Sequence, residues 1–233
     1  MSAPKNTPRR RYNRAARARR ARYDERHEKM IWQAPQDAVA ALVLAHGAGA
    51  GMRHRQMQTL ADGFERHGIA TLRFDFPFIT AGKSRVDSPE VAAAAIAAAF
   101  VDAAGRTALP VWVGGHSFGG RMASHAVASG LVAPAGLIFC SFPLHMPGKP
   151  ATTRAAHLGS ISRPMLFLSG TRDALAERGL LESVVAPLSS AKLHWLDTAD
   201  HGYKVLKRSR ASSEDVFDEI GRVARAFVDA SAR

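Results

Sequence analysis

A serine flanked by glycines, Gly115-His116-Ser117-Phe118-Gly119, follows an apolar run and precedes a helix-like pattern in this 233-residue chain. The pattern G-x-S-x-G between a strand and a helix is typical of a sharp turn that exposes the serine hydroxyl. Glycines two residues before and after the serine relieve the steric conflicts of such a turn. The turn would place the hydroxyl at the carboxyl edge of a parallel sheet, where open α/β sheets bind ligands. We therefore expect Ser117 to be a nucleophile.

A serine needs a base and an acid to become nucleophilic, and candidates for both follow Ser117. No Asp or Glu occurs between Ser117 and Asp173, which comes shortly after the apolar run PMLFLSG. His201 lies shortly after the last apolar run, AKLHWLD. The chain order serine, aspartate, histidine is the order that accompanies this turn. The sequence thus predicts a catalytic triad of Ser117, Asp173 and His201.

Other residues compete for the acid and base roles. Asp200 is an alternative acid, although adjacent side chains such as those of Asp200 and His201 seldom face each other. Asp75, after an earlier strand, is a more distant rival. Four other histidines are expected either to pack within a strand or helix or to lie in a loop near substrate: His194, His125, His145 and His157.

The segment HGAGAG, residues 46–51, follows the first strong apolar run and offers backbone N–H groups for a developing oxyanion. We expect the backbone amides of Ala48 and Phe118 to donate hydrogen bonds to this oxyanion, with Gly49 as the alternative to Ala48. We expect His46 to support the loop. The sequence predicts no metal and no cofactor, because His46 and His54 come from a loop rather than from one helical face.

Six apolar runs alternate with helix-like segments from about residue 30, which predicts a parallel sheet covered by helices on both faces. The runs span 38–46, 69–75, 109–115, 135–142, 164–170 and 191–197, and a further short strand is expected at 30–34. Ser88 and Pro89 predict the start of an alanine-rich helix that Gly105 ends. Ser212 is the predicted cap of a final amphipathic helix.

Composition limits the class of protein. The chain is 46% hydrophobic and 22% charged, as is usual for a globular protein. No apolar run approaches the roughly 18 residues of a membrane span. A single cysteine, Cys140, excludes an internal disulfide and favours the cytoplasm.

The net charge of +12 is concentrated at the N-terminus, where residues 1–29 hold nine arginines and two lysines against three acids. We expect residues 1–29 to form a flexible basic arm capable of nonspecific polyanion contact, and residues 30–233 to form a single α/β domain.

Several segments together resemble the α/β-hydrolase superfamily, and more narrowly its small capless group. That group includes relatives of dienelactone hydrolases and the hydrolase-like domain of a subunit of the nonspecific-lethal histone acetyltransferase complex. The segments, within residues 42–207, are LAHGAGAGMRH, TLRFDFPF, GGHSFGGRMAS, FPLHMPGKP, FLSGTRD and DHGYKVLKR. The resemblance implies a three-layer fold with about six or seven mostly parallel strands and a minimal lid or none. It also implies Ser117, Asp173 and His201 as the triad.

These features predict a serine hydrolase that cleaves a small-molecule carboxylic ester or thioester through an acyl-enzyme. Dienelactone hydrolases themselves use cysteine at the turn, so Ser117 is a departure that favours acyl transfer to water. The irregular segment 143–163 contributes His145, Lys149 and Arg154 as candidate substrate contacts. A basic rim around the site would suit an acidic or phosphorylated ester or thioester, and its candidate members are Lys83, Arg85, Lys149 and Arg154. The alternative is that these residues are scattered, solvated surface charge. The alternative function is a noncatalytic protein-interaction module on the same fold.

Overall fold

A computed structural model describes residues 30–232, so the basic arm predicted over residues 1–29 lies outside the described residues. The strands are β1 (Met30–Gln33), β2 (Ala40–Ala45), β3 (Ile69–Phe74), β4 (Val111–His116), β5 (Leu137–Cys140), β6 (Met165–Gly170) and β7 (Ala191–Leu196). In this part of the chain they form one sheet in the order β1-β3-β2-β4-β5-β6-β7. Only the pairing of β1 with β3 is antiparallel. The mostly parallel sheet predicted from the apolar runs is confirmed.

Helices cover both faces of this sheet. They are α1 (Arg55–Arg66), α2 (Pro77–Thr80), α3 (Pro89–Arg106), α4 (Phe118–Ala128), α5 (Arg178–Val185) and α6 (Val216–Ser231), with a 3-10 helix at Thr153–Ser160. Within residues 30–232, no helix combines the length and hydrophobicity that a membrane crossing requires.

Alternating side chains of β2 show how the core is divided. Leu42 and Leu44 pack in the apolar cluster that α1 and α6 complete, whereas Val43 and Ala45 pack in the cluster with α3, α4 and α5. Both clusters are fully buried along β2, because a parallel strand inside a three-layer fold has no solvent-facing side.

Two predicted helix limits differ from the structure. The cap predicted at Ser212 is wrong, since Asp215 caps α6 by accepting hydrogen bonds from the backbone N–H groups of Phe217 and Asp218. Ser212 instead accepts from the backbone N–H of Glu214, in the turn before the helix. Helix α3 continues through Gly105 and ends at Arg106.

Candidate active site

Ser117 occupies the turn between β4 and α4 in a backbone conformation that few residues adopt. Its φ is 52° and its ψ is −115°, so its φ is positive although the residue has a Cβ. The Ser117 N–H donates to the carbonyl of Cys140 on β5, and the Ser117 carbonyl accepts the N–H of Arg121 in α4. The turn is thus held by the neighbouring strand on one side and by the first helical bond on the other.

Glycines flank Ser117 because β2 passes directly beside the turn. A Cβ at Gly115 would lie 2.1 Å from the carbonyl oxygen of Ala45, and a Cβ at Gly119 would lie 2.4 Å from the same oxygen. Both distances are far below van der Waals contact, and Gly115 also has a φ of +146°. The G-x-S-x-G spacing therefore has a local steric cause in this chain.

The structure brings Ser117, His201 and Asp173 together at the carboxyl edge of the sheet. Nε2 of His201 lies 2.8 Å from Oγ of Ser117, and Nδ1 of His201 lies 2.8 Å from Oδ2 of Asp173. The Asp173 side chain is completely buried, whereas that of His201 is 24% exposed. A carboxylate accepts hydrogen bonds only, so Nδ1 of His201 carries the proton and Nε2 is the acceptor for the serine hydroxyl.

The alternative acids lie elsewhere and have other partners. Asp200 accepts hydrogen bonds from the backbone N–H groups of Gly202 and Lys204, and so shapes the loop that carries His201. Asp75 accepts from the N–H of Met52 at 2.6 Å, near the loop after β2. Neither carboxylate is placed on Nδ1 of His201.

His116, the residue before Ser117, holds the backbone of the His201 loop. Its Nε2 lies 2.9 Å from the carbonyl oxygen of His201, so it donates this hydrogen bond. The side-chain amide of Gln56, in α1, donates to the neighbouring carbonyl of Gly202 at 3.2 Å. Burial, reinforced by the nearby His201, lowers the pKa of His116 to about 4, so the ring is neutral near pH 7.

The loop after β2 borders the site and is fixed by His46. Nδ1 of His46 donates to the carbonyl of Gly47, and its Nε2 accepts the N–H of Phe76. Burial lowers the pKa of His46, consistent with this neutral, doubly bonded ring. Ala48 and Gly49 are exposed at the tip of the loop. Phe118 is the first residue of α4, so its N–H has no acceptor within the helix.

A cavity of about 660 Å³ opens beside Ser117. Its apolar wall includes Val86, Phe118, Pro143, Met146 and Leu175, and Ala48 borders it. Its charged lining residues are Arg85, Asp87, Arg121 and Arg154.

The three residues predicted to contact substrate are placed differently. Arg154 lines the cavity, but His145 and Lys149 are not among its lining residues. His145 is buried, with Nδ1 donating to the carbonyl of Met146, and Lys149 is exposed. Arg121 also lines the cavity and is not among the site residues predicted from the sequence. Its position four residues after Ser117, near the start of a helix, is a signal that could have found it.

Within residues 30–232, no three His, Cys, Asp or Glu side chains are grouped so as to hold a metal ion.

Comparisons with known proteins agree with this architecture. Residues 38–229 match the family described as alpha/beta hydrolase domain. The structure of Est1E from Butyrivibrio proteoclasticus with bound ferulic acid is similar, with a TM-score of 0.66 and 16% identity, covering 86% of this chain and 95% of Est1E. Dienelactone hydrolase from Anabaena variabilis has a TM-score of 0.67 and 18% identity, covering 86% of this chain and 90% of that enzyme. TT1662 from Thermus thermophilus has a TM-score of 0.62 and 20% identity, covering 87% of this chain and 92% of TT1662.

Proposed function

Because the chain belongs to the α/β-hydrolase family, we propose that it is a serine hydrolase that cleaves a carboxylic ester or thioester. The observation that carries this proposal is the unbroken series of hydrogen bonds from Ser117 through His201 to Asp173. A nucleophile, a base and an orienting acid in contact are the parts that acyl transfer requires.

In the proposed reaction, Oγ of Ser117 attacks the carbonyl carbon of the substrate while Nε2 of His201 takes the hydroxyl proton. Asp173 holds the imidazole in the required orientation and stabilises its positive charge. The protonated His201 then gives its proton to the leaving alcohol or thiol, which leaves an acyl-serine. A water molecule, deprotonated by His201, attacks the acyl-serine. His201 then gives this proton to Oγ of Ser117 as the bond to the acyl group breaks and the acid leaves.

The negative charge of each tetrahedral intermediate needs donors that are already in place. We assign this role to the backbone N–H groups of Phe118 and Ala48, with Gly49 as the alternative to Ala48. The free N–H at the start of α4 supports the assignment of Phe118. The position of Ala48 at the cavity border, together with Ser117, supports the second donor.

The similar structures support an ester as the substrate. Est1E carries ferulic acid, and the Anabaena protein is a dienelactone hydrolase. The open cavity beside Ser117 is large enough for the acid or alcohol part of a small ester. It is formed without a separate lid domain in the described residues 30–232.

The test uses the full chain, a fluorophosphonate probe and para-nitrophenyl butyrate. We expect covalent labelling of the wild type and release of nitrophenol, both lost in Ser117→Ala. Ser183→Ala is the matched control, since Ser183 is exposed on α5 and bonds only to a local carbonyl. Folded wild-type protein that neither reacts with the probe nor hydrolyses the ester would contradict the proposal and favour the noncatalytic module.

A further inference from the structure

Two half-buried arginines in the cavity wall, Arg121 and Arg154, form no ion pair with any Asp or Glu of the described chain. Arg154 donates one hydrogen bond, from Nη1 to the carbonyl of His145 at 3.2 Å. Within residues 30–232, three partly buried arginines each pair with a carboxylate: Arg106, Arg210 and Arg225. In the same part of the chain, the fully buried Arg73 has no carboxylate partner and instead donates to the side chain of Gln33 and the carbonyl of Met52. Arg121 and Arg154 also lack a carboxylate partner there, but unlike Arg73 they line a cavity that a ligand can enter.

The two guanidinium groups are also close enough to repel each other. Burial lowers the pKa of Arg121, and the positive charge of Arg154 lowers it further. Gathering like charges in a partly desolvated wall costs free energy that a bound anion would offset. Asp87 lines the same cavity, but its carboxylate accepts the N–H of Phe78 and forms no ion pair with either arginine. Arginine keeps its charge under all ordinary conditions, so the repulsion is not relieved by loss of a proton.

The position of Arg121 relates this charge to the nucleophile. Arg121 follows Ser117 by four residues on α4, a rise of about 6 Å at the usual 1.5 Å per residue. Arg121 and Ser117 line the same cavity, so one bound molecule can reach both. The same cavity is bordered by apolar groups, including Phe118, Pro143 and Leu175. A ligand in this cavity would thus meet the Ser117 hydroxyl, apolar side chains and positive charge.

We propose that Arg121 and Arg154 form a subsite for a carboxylate carried by the substrate, a few bonds from the ester group that Ser117 attacks. This inference rests on the proposed function and narrows its substrate to esters that bear an anionic end. The planar fork of a guanidinium binds the two oxygens of a carboxylate together. Asp87, in the wall of the same cavity, favours a singly charged carboxylate over a doubly charged phosphate because it would repel the second charge.

The kinetic test compares esters that differ only by the anion. Para-nitrophenyl hexanoate and mono-para-nitrophenyl adipate have acyl chains of equal length, and the adipate replaces the terminal methyl group with a carboxylate. Para-ethylphenyl acetate and para-acetoxyphenylacetate make the same comparison on the alcohol side. The measured quantity is the ratio of kcat/KM for the charged ester to kcat/KM for its neutral partner.

We expect the charged member of at least one pair to be preferred by the wild type. Arg121→Gln should lower that preference by about tenfold or more, the usual effect of losing a charge-assisted hydrogen bond in a partly buried site. Arg121→Lys should restore part of it, because it keeps the charge without the planar fork. Arg163→Gln is the matched control, since Arg163 is exposed and does not line the cavity. Equal ratios in the wild type and Arg121→Gln for both pairs would overturn the subsite.

A binding measurement separates failure of the subsite from failure of the proposed function. Calorimetry measures the affinity of monomethyl adipate and of methyl hexanoate for two proteins that lack the Ser117 hydroxyl. These are Ser117→Ala and the double variant that carries both Ser117→Ala and Arg121→Gln. Tighter binding of the adipate that Arg121→Gln abolishes supports the subsite even if the wild type hydrolyses none of the esters. Hydrolysis of the neutral esters without any Arg121-dependent preference or binding supports the hydrolase and rejects the subsite.

Discussion

The imidazole of His116 donates a hydrogen bond, over 2.9 Å, to the backbone carbonyl of His201. The two residues are far apart in the chain, and the bond ties the turn that carries Ser117 to the loop that carries the proposed base. In the proposed mechanism His116 is therefore a positioning residue, since it bonds to the backbone of His201 rather than to its ring.

His116→Gln should reduce kcat on para-nitrophenyl butyrate by about tenfold to a hundredfold, because a small displacement of a catalytic group is costly. Labelling by the fluorophosphonate should become slower without being lost, which distinguishes positioning from direct participation. His54→Asn, which replaces an exposed imidazole and keeps a capping side chain at the start of α1, should leave both rates unchanged. Wild-type kcat in His116→Gln would contradict this role.

The same histidine should make stability depend on pH. Its pKa falls from 6.5 to about 4 on folding, so the unfolded chain binds a proton in this interval that the folded chain does not. The free energy of unfolding should therefore decrease as the pH falls from 6.5 to 4 and stop responding to His116 below that. Burial also lowers the pKa values of His46 and His157, which act in the same direction. Urea denaturation between pH 4 and 7 should show a shallower decrease for His116→Gln than for the wild type. An identical slope in the two proteins would show that His116 is not buried as a neutral ring.

The identity of the acid can be tested by two matched substitutions. Asp173→Asn should lower kcat by a factor on the order of 10⁴, because the amide cannot hold His201 in the required tautomer. Asp200→Asn should have a small effect, because its side-chain oxygen can still accept from the N–H groups of Gly202 and Lys204. A larger loss of kcat in Asp200→Asn than in Asp173→Asn would show that Asp200 is the acid that orients His201.

The steric requirement at the turn predicts a loss of stability. Gly119→Ala places a Cβ against the carbonyl of Ala45 and should lower the free energy of unfolding by about 1–3 kcal/mol. Gly105→Ala is the matched control, because its Cβ would meet nothing within 4 Å and the site is helical. It should be neutral or stabilise by up to about 1 kcal/mol. Denaturant unfolding of both variants measures the difference, and equal stability would refute the close approach of β2.

The corrected start of α6 gives a further comparison. Asp215→Ala removes the acceptor for two N–H groups at the helix start and should cost about 1 kcal/mol of stability. Ser212→Ala, three residues earlier, loses only a turn hydrogen bond and should cost less. A larger loss of stability in Ser212→Ala than in Asp215→Ala would indicate that Ser212 is the helix cap, as the sequence predicts.

Local pattern accounts for most of what the sequence predicts correctly. The apolar runs locate the strands to within two or three residues, because the parallel strands β2 to β6 are buried along their whole length. The G-x-S-x-G motif, followed in the chain by an aspartate and then a histidine, predicts that the side chains of Ser117, Asp173 and His201 lie together. The misplaced cap at Ser212 arises because several residues before α6 have capping side chains, and only the backbone conformation selects Asp215.

Contacts between distant segments account for what the sequence does not predict. Nothing near His116 in the chain indicates that its ring reaches the carbonyl of His201, and nothing near Gln56 indicates its bond to Gly202. The burial of His145 and the exposure of Lys149 likewise depend on how the segment between β5 and β6 folds back over the core. Arg121 differs, because helical spacing from Ser117 was sufficient to place it beside the cavity.

The unusual backbone of Ser117 exists only where β2, β4 and β5 lie side by side, since Ala45 confines the turn and Cys140 anchors its N–H. If any of these three strands shifts relative to its neighbours, the Ser117 hydroxyl loses the orientation that the proposed attack requires. The proposed hydrolysis should accordingly require the fully assembled sheet. The residual activity of a partly denatured sample should then be proportional to the fraction of molecules that are still folded.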